Sequence, residues 1–330
     1  MMCGVLWFWH IEKTGGTTIR NYFKRADELG QLRDWKYVDM FEGRDAIRRK
    51  EGAENDGMNS VYWSDWEASE QWERAKHELS KPAPKLIVHA HHHMPGLANR
   101  QLMQKFATMR AELEQKGCGL RLATVLREPW SLQESLVSYK IYQQGKYGET
   151  ENLRASTPEK AVEFLGGKHN ALCQYVMFGS QEQQPLRTNP ASFLTCGAER
   201  FLGSVAKVIL DDFDLVGTTF KLDTFIGGIN SILGLPLGQR PHAFHANPSP
   251  KPPWLGSLSG LAKAYRNADD QLYAAYCKPA GALCDDATPA PSSPWYTGSM
   301  TSRWAMMYNR YLKEKDEQAS SICSAPLLIA

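Results

Sequence analysis

The sequence predicts an α/β protein with one main domain, a mostly parallel central sheet and helices on both faces. Three observations lead there. Short apolar runs of strand length recur as VLWFWHI, KLIVHAH, RLATVLR and DLVGTT. Segments of helical spacing alternate with them, the pattern of parallel strands joined by crossover helices. No internal repeat is present, which excludes solenoids and propellers.

In chain order, VLWFWHI is a strand, KTGGTT a glycine turn, and IRNYFKRADEL a helix with Ile19, Tyr22, Phe23 and Leu29 at helical spacing. Residues 30–63 are charged and Trp-rich without a clean period. Ser64-x-x-Glu67 then reads as a capping box opening a helix to about Leu79, and the whole block 30–80 is expected to be an insertion or lid. Lys81-Pro-Ala-Pro84 breaks that helix, KLIVHAH follows as a strand, and a helix is expected near Ala98–Lys116. After Gly117-Cys-Gly119, RLATVLR is a buried strand, and Ser131-x-x-Glu134 reads as a second capping box for a helix to about Gln144. Helices are expected at Pro158–Leu165, Ala171–Met177, Glu199–Leu210 and Leu222–Leu233, with DLVGTT a strand before the last. Past Leu235, PHAFHANPSPKPPW is a proline-rich loop, LAKAYRNADDQLYAAY a helix, and Ala287–Ser293 a low-complexity linker. The domain is therefore expected to span residues 1–285, with 286–330 a peripheral linker and helix.

Composition narrows the partners. Lys and Arg total 38 against 36 Asp and Glu, a formal charge of +2 over 330 residues. That balance opposes a nucleic-acid or anionic-membrane coat and leaves room for one basic pocket holding a small anion. The first apolar run ends at His10, far short of the roughly 20 residues that cross a bilayer, and no secretory signal is legible. As written the chain reads as cytoplasmic. Seven scattered cysteines without a CxxC pair fit free thiols in a reducing compartment, with a local Cys277–Cys284 bridge the option in a lumen.

Lys13-Thr14-Gly15-Gly16-Thr17-Thr18 lies between a strand and a helix, where glycines let backbone N–H groups converge on an anion. Thr17 and Thr18 add hydroxyl donors and Lys13 a formal charge, the chemistry of a phosphate or sulfate cradle. The nucleotidase P-loop places its lysine after the second glycine, so that pattern does not match. A plain Gly-Gly turn is the alternative.

HIEKTGGTTIRNYF resembles the 5′-phosphosulfate loop of the sulfotransferases, in particular the HIPKTGGTS-type loop of carbohydrate enzymes related to the heparan sulfate 2-O and 6-O group. Glu12 stands where that pattern usually has proline. VLREPWSLQESLVSYK resembles the family's 3′-phosphate segment, with Arg127 and Ser135 at the matching positions. A guanidinium fork and a serine early in a helix suit phosphate, while an ordinary surface ion pair is the alternative for Arg127. HNALCQYVMFG and FDLVGTTFKLDTFIGGINSILGLP extend the likeness, Phe220 and Lys221 replacing the usual Glu-Arg pair; HANPSPK matches weakly.

LIVHAHHHMPG places His89, His91 and His93 on one face of a strand and His92 on the other. Plain surface histidines and a metal site are the alternatives, and the spacing suits zinc poorly because no Cys or carboxylate ligand is near. In the resembled family a strand of the form VHGH ends in the general base, and His91 falls on that position, with Ala90 in the place of glycine and His89 or His93 the other candidates.

The resemblance implies a P-loop-like sulfotransferase fold and a donor, 3′-phosphoadenosine 5′-phosphosulfate (PAPS), with no metal. It implies His91 as base, Lys13 on the transferring group, Thr14 to Thr18 around the 5′ group, and Arg127 with Ser135 on the 3′-phosphate. The acceptor would be a hydroxyl of a glycan or small metabolite; relatives acting on glycans sit in the Golgi lumen behind an anchor, which would be this chain's place if it has one beyond the sequence read. Tryptophans within residues 35–72 could stack on sugars or pack beneath a lid. An ATP-dependent small-molecule kinase is the competing enzyme, lacking a Walker lysine and a Mg²⁺ carboxylate after a strand. A silent glycan- or nucleotide-binding relative is the non-enzyme alternative.

Overall fold

Five short strands, β1 (Gly4–Trp9), β2 (Lys36–Asp39), β3 (Lys85–Ala90), β4 (Gly119–Leu126) and β5 (Leu215–Thr218), pair in the order β2-β3-β1-β4-β5. Every pairing is parallel. The computed structural model describes residues 3–40, 70–90, 100–147, 157–166, 170–178, 203–204, 206–207, 209–235 and 251–277. Its helices are α1 (Gly16–Glu28), α2 (Glu70–Leu79), α3 (Arg100–Gln115), α4 (Pro129–Tyr147), α5 (Pro158–Gly166), α6 (Ala171–Phe178), α7 (Leu222–Leu233) and α8 (Asn267–Tyr276).

Because β1 is central and covered on both faces, all six of its residues are buried. Alternation sends Val5, Trp7 and Trp9 to a core with Trp72, Phe106, Leu132 and Tyr175. Leu6 and Phe8 go to the other, with Ile19 and Phe23 of α1 and Phe225 and Ile229 of α7. Trp7 meets Phe106 edge-on at 5.0 Å, a geometry aromatic quadrupoles favour.

The block 30–80 is not simply a lid. Lys36–Asp39 adds the edge strand beside β3, and α2 buries Trp72 and Ala75 on the sheet. Trp35 is also buried, donating Nε1–H to the Leu233 carbonyl at 3.1 Å, so Trp35 and Trp72 serve packing. The proposed capping box at Ser64, and Trp63 and Trp66, lie outside the described residues.

Two helix boundaries differ from expectation. α4 starts at Pro129, not Ser131, because the Glu128 carboxylate accepts the N–H of Trp130 at 3.0 Å and of Ser131 at 2.6 Å. An acidic cap followed by proline at the first helical position is a strong start that the Ser-x-x-Glu match obscured. LAKAYRNADDQLYAAY is not one helix either. A 3₁₀ turn, one α-turn and a second 3₁₀ turn run to Tyr265, and α8 restarts at Asn267.

The break is enforced by a reciprocal pair of caps. Asn170 Oδ1 accepts the N–H groups of Ala268 and Asp269 at the start of α8. The Asp269 carboxyl accepts those of Leu172 and Cys173 at the start of α6, at 2.9 and 2.8 Å. Each residue satisfies donors that the other helix leaves open.

The expectation of free thiols fails for one pair. Cys3 and Cys118 form a disulfide, with Cα atoms 5.1 Å apart. They precede Gly4 and Gly119, which are register partners on β1 and β4, so the strand pairing brings together cysteines 115 residues apart. Cys173 and Cys277 are buried thiols. Cys284, the option for bridging Cys277, and the 287–293 linker lie outside the described residues.

Asp269→Ala strands two buried N–H groups and is expected to lower the unfolding free energy by about 2–4 kcal/mol in denaturant titration. Burial pushes the Asp269 carboxyl up to about 7, against the two donated hydrogen bonds. The folded chain then keeps a proton that the unfolded chain releases near pH 4, so this residue's contribution is full below about pH 4 and is lost as pH rises through about 7. That part of the pH slope should vanish in Asp269→Asn.

Candidate active site

The chain leaves β1 toward β3 and β2 but leaves β4 toward β5, so the connections diverge at the C-terminal ends of these two adjacent strands. In open parallel sheets such a reversal is where ligands bind. Here the turn after β1 and the segment after β4 touch. Arg127 Nη1 donates to the Lys13 carbonyl at 2.9 Å, so the two segments singled out in the sequence, 114 residues apart, form one edge.

The turn has the backbone a cradle needs. Lys13 and Gly15 are left-handed, with φ of 62° and 86°, and α1 begins at Gly16. The Gly15 carbonyl accepts the N–H groups of Thr18 and Ile19, which leaves the first-turn N–H groups of Gly16 and Thr17 at the open end of the helix. Thr17 is exposed there. Thr14 is not part of that surface: it is buried, and its hydroxyl donates to the Ile11 carbonyl at 2.8 Å, tying the turn from inside.

Two cations converge. Lys13 Nζ lies 3.1 Å from the centre of the Tyr139 ring on α4. Its ammonium is pulled down to about 8, chiefly by burial, with Glu12 opposing and Arg127 reinforcing the shift. Burial also lowers Arg127, against Glu134 and Glu128, and its Nε donates to Ser131 Oγ at 3.0 Å. Ser135, the serine the sequence singles out, is half-buried one turn further along α4, on the face that carries Ser131. Glu12 accepts the hydroxyl of Tyr175 on α6, so the acidic residue in the proline position is held by a neutral donor.

Beneath the turn, the His10 ring stacks on His89 at 5.4 Å, and His89 stacks on Phe8 at 5.3 Å. His89 Nδ1 faces Asp39 Oδ1 at 3.6 Å and the Tyr37 hydroxyl at 3.4 Å, while Arg20 pairs with the same carboxylate. Burial pushes the Asp39 carboxyl up, but His89 and Arg20 outweigh it and hold the group below its ordinary range. His89, one of the other candidates for the base, is wholly buried. His91, the expected base, lies outside the described residues with His92 and His93.

The sequence reading gave Ser131 a capping role and not a place beside Arg127, and it gave none to His10, Tyr139 or Tyr175, the last two delivered to the turn by helices far along the chain. Phe220, 71 % exposed, sits in the 3₁₀ turn after β5 at the same edge. Among the described residues no group of three or more His, Cys, Asp or Glu is placed to hold a metal. No described helix is long and apolar enough to cross a membrane.

No protein-family model, curated protein or solved structure matches the chain.

Gly16 is required by close approach: a Cβ built there would lie 1.9 Å from the His10 ring. Gly16→Ala must displace either the ring or the start of α1. Urea unfolding is expected to show a loss of about 1–3 kcal/mol, the usual range for overpacking.

Proposed function

We propose that this chain is a sulfotransferase that moves the sulfuryl group of PAPS to an acceptor hydroxyl. The observation that carries the reading is the bond from Arg127 to the Lys13 carbonyl, which unites the segments resembling the 5′- and 3′-phosphate loops at the reversal of the sheet. The two cations lie close enough to act on each other, the arrangement an anionic donor would exploit.

In this reading the N–H groups of Gly16 and Thr17, with the hydroxyls of Thr17 and Thr18, face the 5′ phosphosulfate, and Gly15 provides the turn. Arg127, with Ser131 bonded to it and Ser135 one turn further along α4, takes the 3′-phosphate. Thr14 shapes the loop and does not touch the donor. The acceptor oxygen attacks sulfur in line, forming an O–S bond as the bond from sulfur to the phosphate oxygen breaks. By analogy with phosphoryl transfer the transition state is loose, so positioning and charge supply the catalysis. Lys13 offsets the negative charge growing on the departing phosphate, and His91 accepts the acceptor's proton. The reaction needs no metal in this scheme.

The Cys3–Cys118 disulfide fits an oxidising compartment, where such bonds persist. That supports a glycan acceptor over a metabolite of the reducing cytosol.

Adenosine 3′,5′-bisphosphate is expected to raise the melting temperature, since a ligand that binds only the folded state stabilises it. ATP with Mg²⁺ should do less; the reverse order would replace this reading with a kinase. Arg127→Ala should weaken bisphosphate binding by about 1.5–3 kcal/mol, or about 10–150-fold, in calorimetric titration.

His91→Ala tests the base separately. Turnover should fall by about 10²–10⁴-fold while bisphosphate affinity and melting temperature hold. Full activity in that variant, measured with labelled donor, would assign the proton to another group.

A further inference from the structure

We infer that Tyr139 is a positioning residue for Lys13: its ring face is the seat that keeps the lysine as an ammonium at the mouth of the turn after β1. The role this gives Lys13 in catalysis rests on the sulfotransferase reading; the seat itself does not.

The backbone of Lys13 is pinned before its side chain is considered. Its left-handed φ of 62° sets the direction of departure, and Arg127 fixes its carbonyl. The side chain then runs toward α4 and ends 3.1 Å from the Tyr139 ring centre. Burial at that place favours the neutral amine, and the Arg127 guanidinium at the end of β4 pushes the same way. Two groups push back. Glu12, next to Lys13 in the turn, favours the ammonium, but its carboxylate is engaged by the Tyr175 hydroxyl on α6. The ring of Tyr139 presents its negative face to the cation. Glu134 on α4 and Glu128 ahead of it act on Arg127.

The choice of an aromatic seat has a chemical consequence. A carboxylate would hold the ammonium equally well but would cancel its charge and repel an incoming anion. A neutral ring stabilises the cation without adding a further negative charge beside it. An anion reaching the turn therefore meets a lysine that is already charged and already oriented.

The test titrates Lys13 directly. Competitive labelling with a trace of acetic anhydride across pH, read by mass spectrometry of the peptide carrying Lys13, gives the midpoint at which the amine becomes nucleophilic. For the native chain that midpoint is expected at about 8. Tyr139→Phe keeps the ring face and should keep the midpoint. Tyr139→Leu removes it and should lower the midpoint by about 0.4–1.5 pH units, the range that a cation–ring contact converts to. Tyr139→Met, similar in volume, replaces the leucine variant if that one does not fold. An unchanged midpoint in the folded leucine or methionine variant overturns the seat, as does an equal fall in Tyr139→Phe, which would assign the effect to the hydroxyl. A separate arm adds adenosine 3′,5′-bisphosphate to the native chain. Failure to protect Lys13 from acetylation there counts against the donor reading and leaves the seat standing.

Discussion

Holding Lys13 beside Arg127 sets two like charges together at the C-terminal end of the central strands, and the guanidinium binds the arrangement together by donating to the lysine's own carbonyl. Parallel pairing makes this possible. With Trp9 opposite Thr124, β1 and β4 finish nearly level, and the residues just beyond them are neighbours whatever their separation in sequence. The Thr124 hydroxyl adds a bond to the Trp9 carbonyl at 2.7 Å, fastening the last rung. The turn, the start of α1 and the start of α4 all take their positions from that junction. An anion seated between the two cations would relieve a repulsion that Glu12, Glu128, Glu134 and the Tyr139 ring now temper.

Below the junction a second polar group does different work. His10, His89, Tyr37, Asp39 and Arg20 come from β2, β3, α1 and the end of β1, and they are packed between the sheet and the helix that carries the cradle. Asp39 draws the group together, with Arg20 and His89 as its cationic or ionisable neighbours, while His89 Nε2 is buried without a hydrogen-bond partner among the described residues. The Arg20–Asp39 pair ties α1 to β2. The ring of His10 occupies the space a side chain at position 16 would need, so helix and strand approach to one distance.

The strands of the centre were legible because burial on two faces demands uninterrupted apolar runs, and α7 runs from Leu222 to Leu233 as its spacing indicates. β2 was not: Lys36–Asp39 is four residues at a sheet edge, too short and too polar to announce itself. Competition between local signals hid the start of α4, where a serine and a glutamate in box spacing outshone the Glu128-Pro129 pair. The gap before α8 depends on Asn170, some hundred residues away, and no local window contains it. Of the candidate site, the glycine turn and its two cations stand out in the sequence, since their chemistry is carried by the residue itself. Tyr139 and Tyr175 were not, because what matters about them is which helix face meets the turn. Thr14 reversed its expected part for a related reason: a hydroxyl finds the nearest open carbonyl, and Ile11 offers one three residues back.

The disulfide between Cys3 and Cys118 sits at the opposite end of the two strands that carry the junction. It closes a covalent ring around β1, α1, β2, α2, β3 and α3. A protease that cuts once anywhere inside that ring opens it without releasing a fragment, and Lys13 and Arg127 stay on one molecule. The cross-link thus confers tolerance to nicking across the first third of the chain, a tolerance that a reductant abolishes.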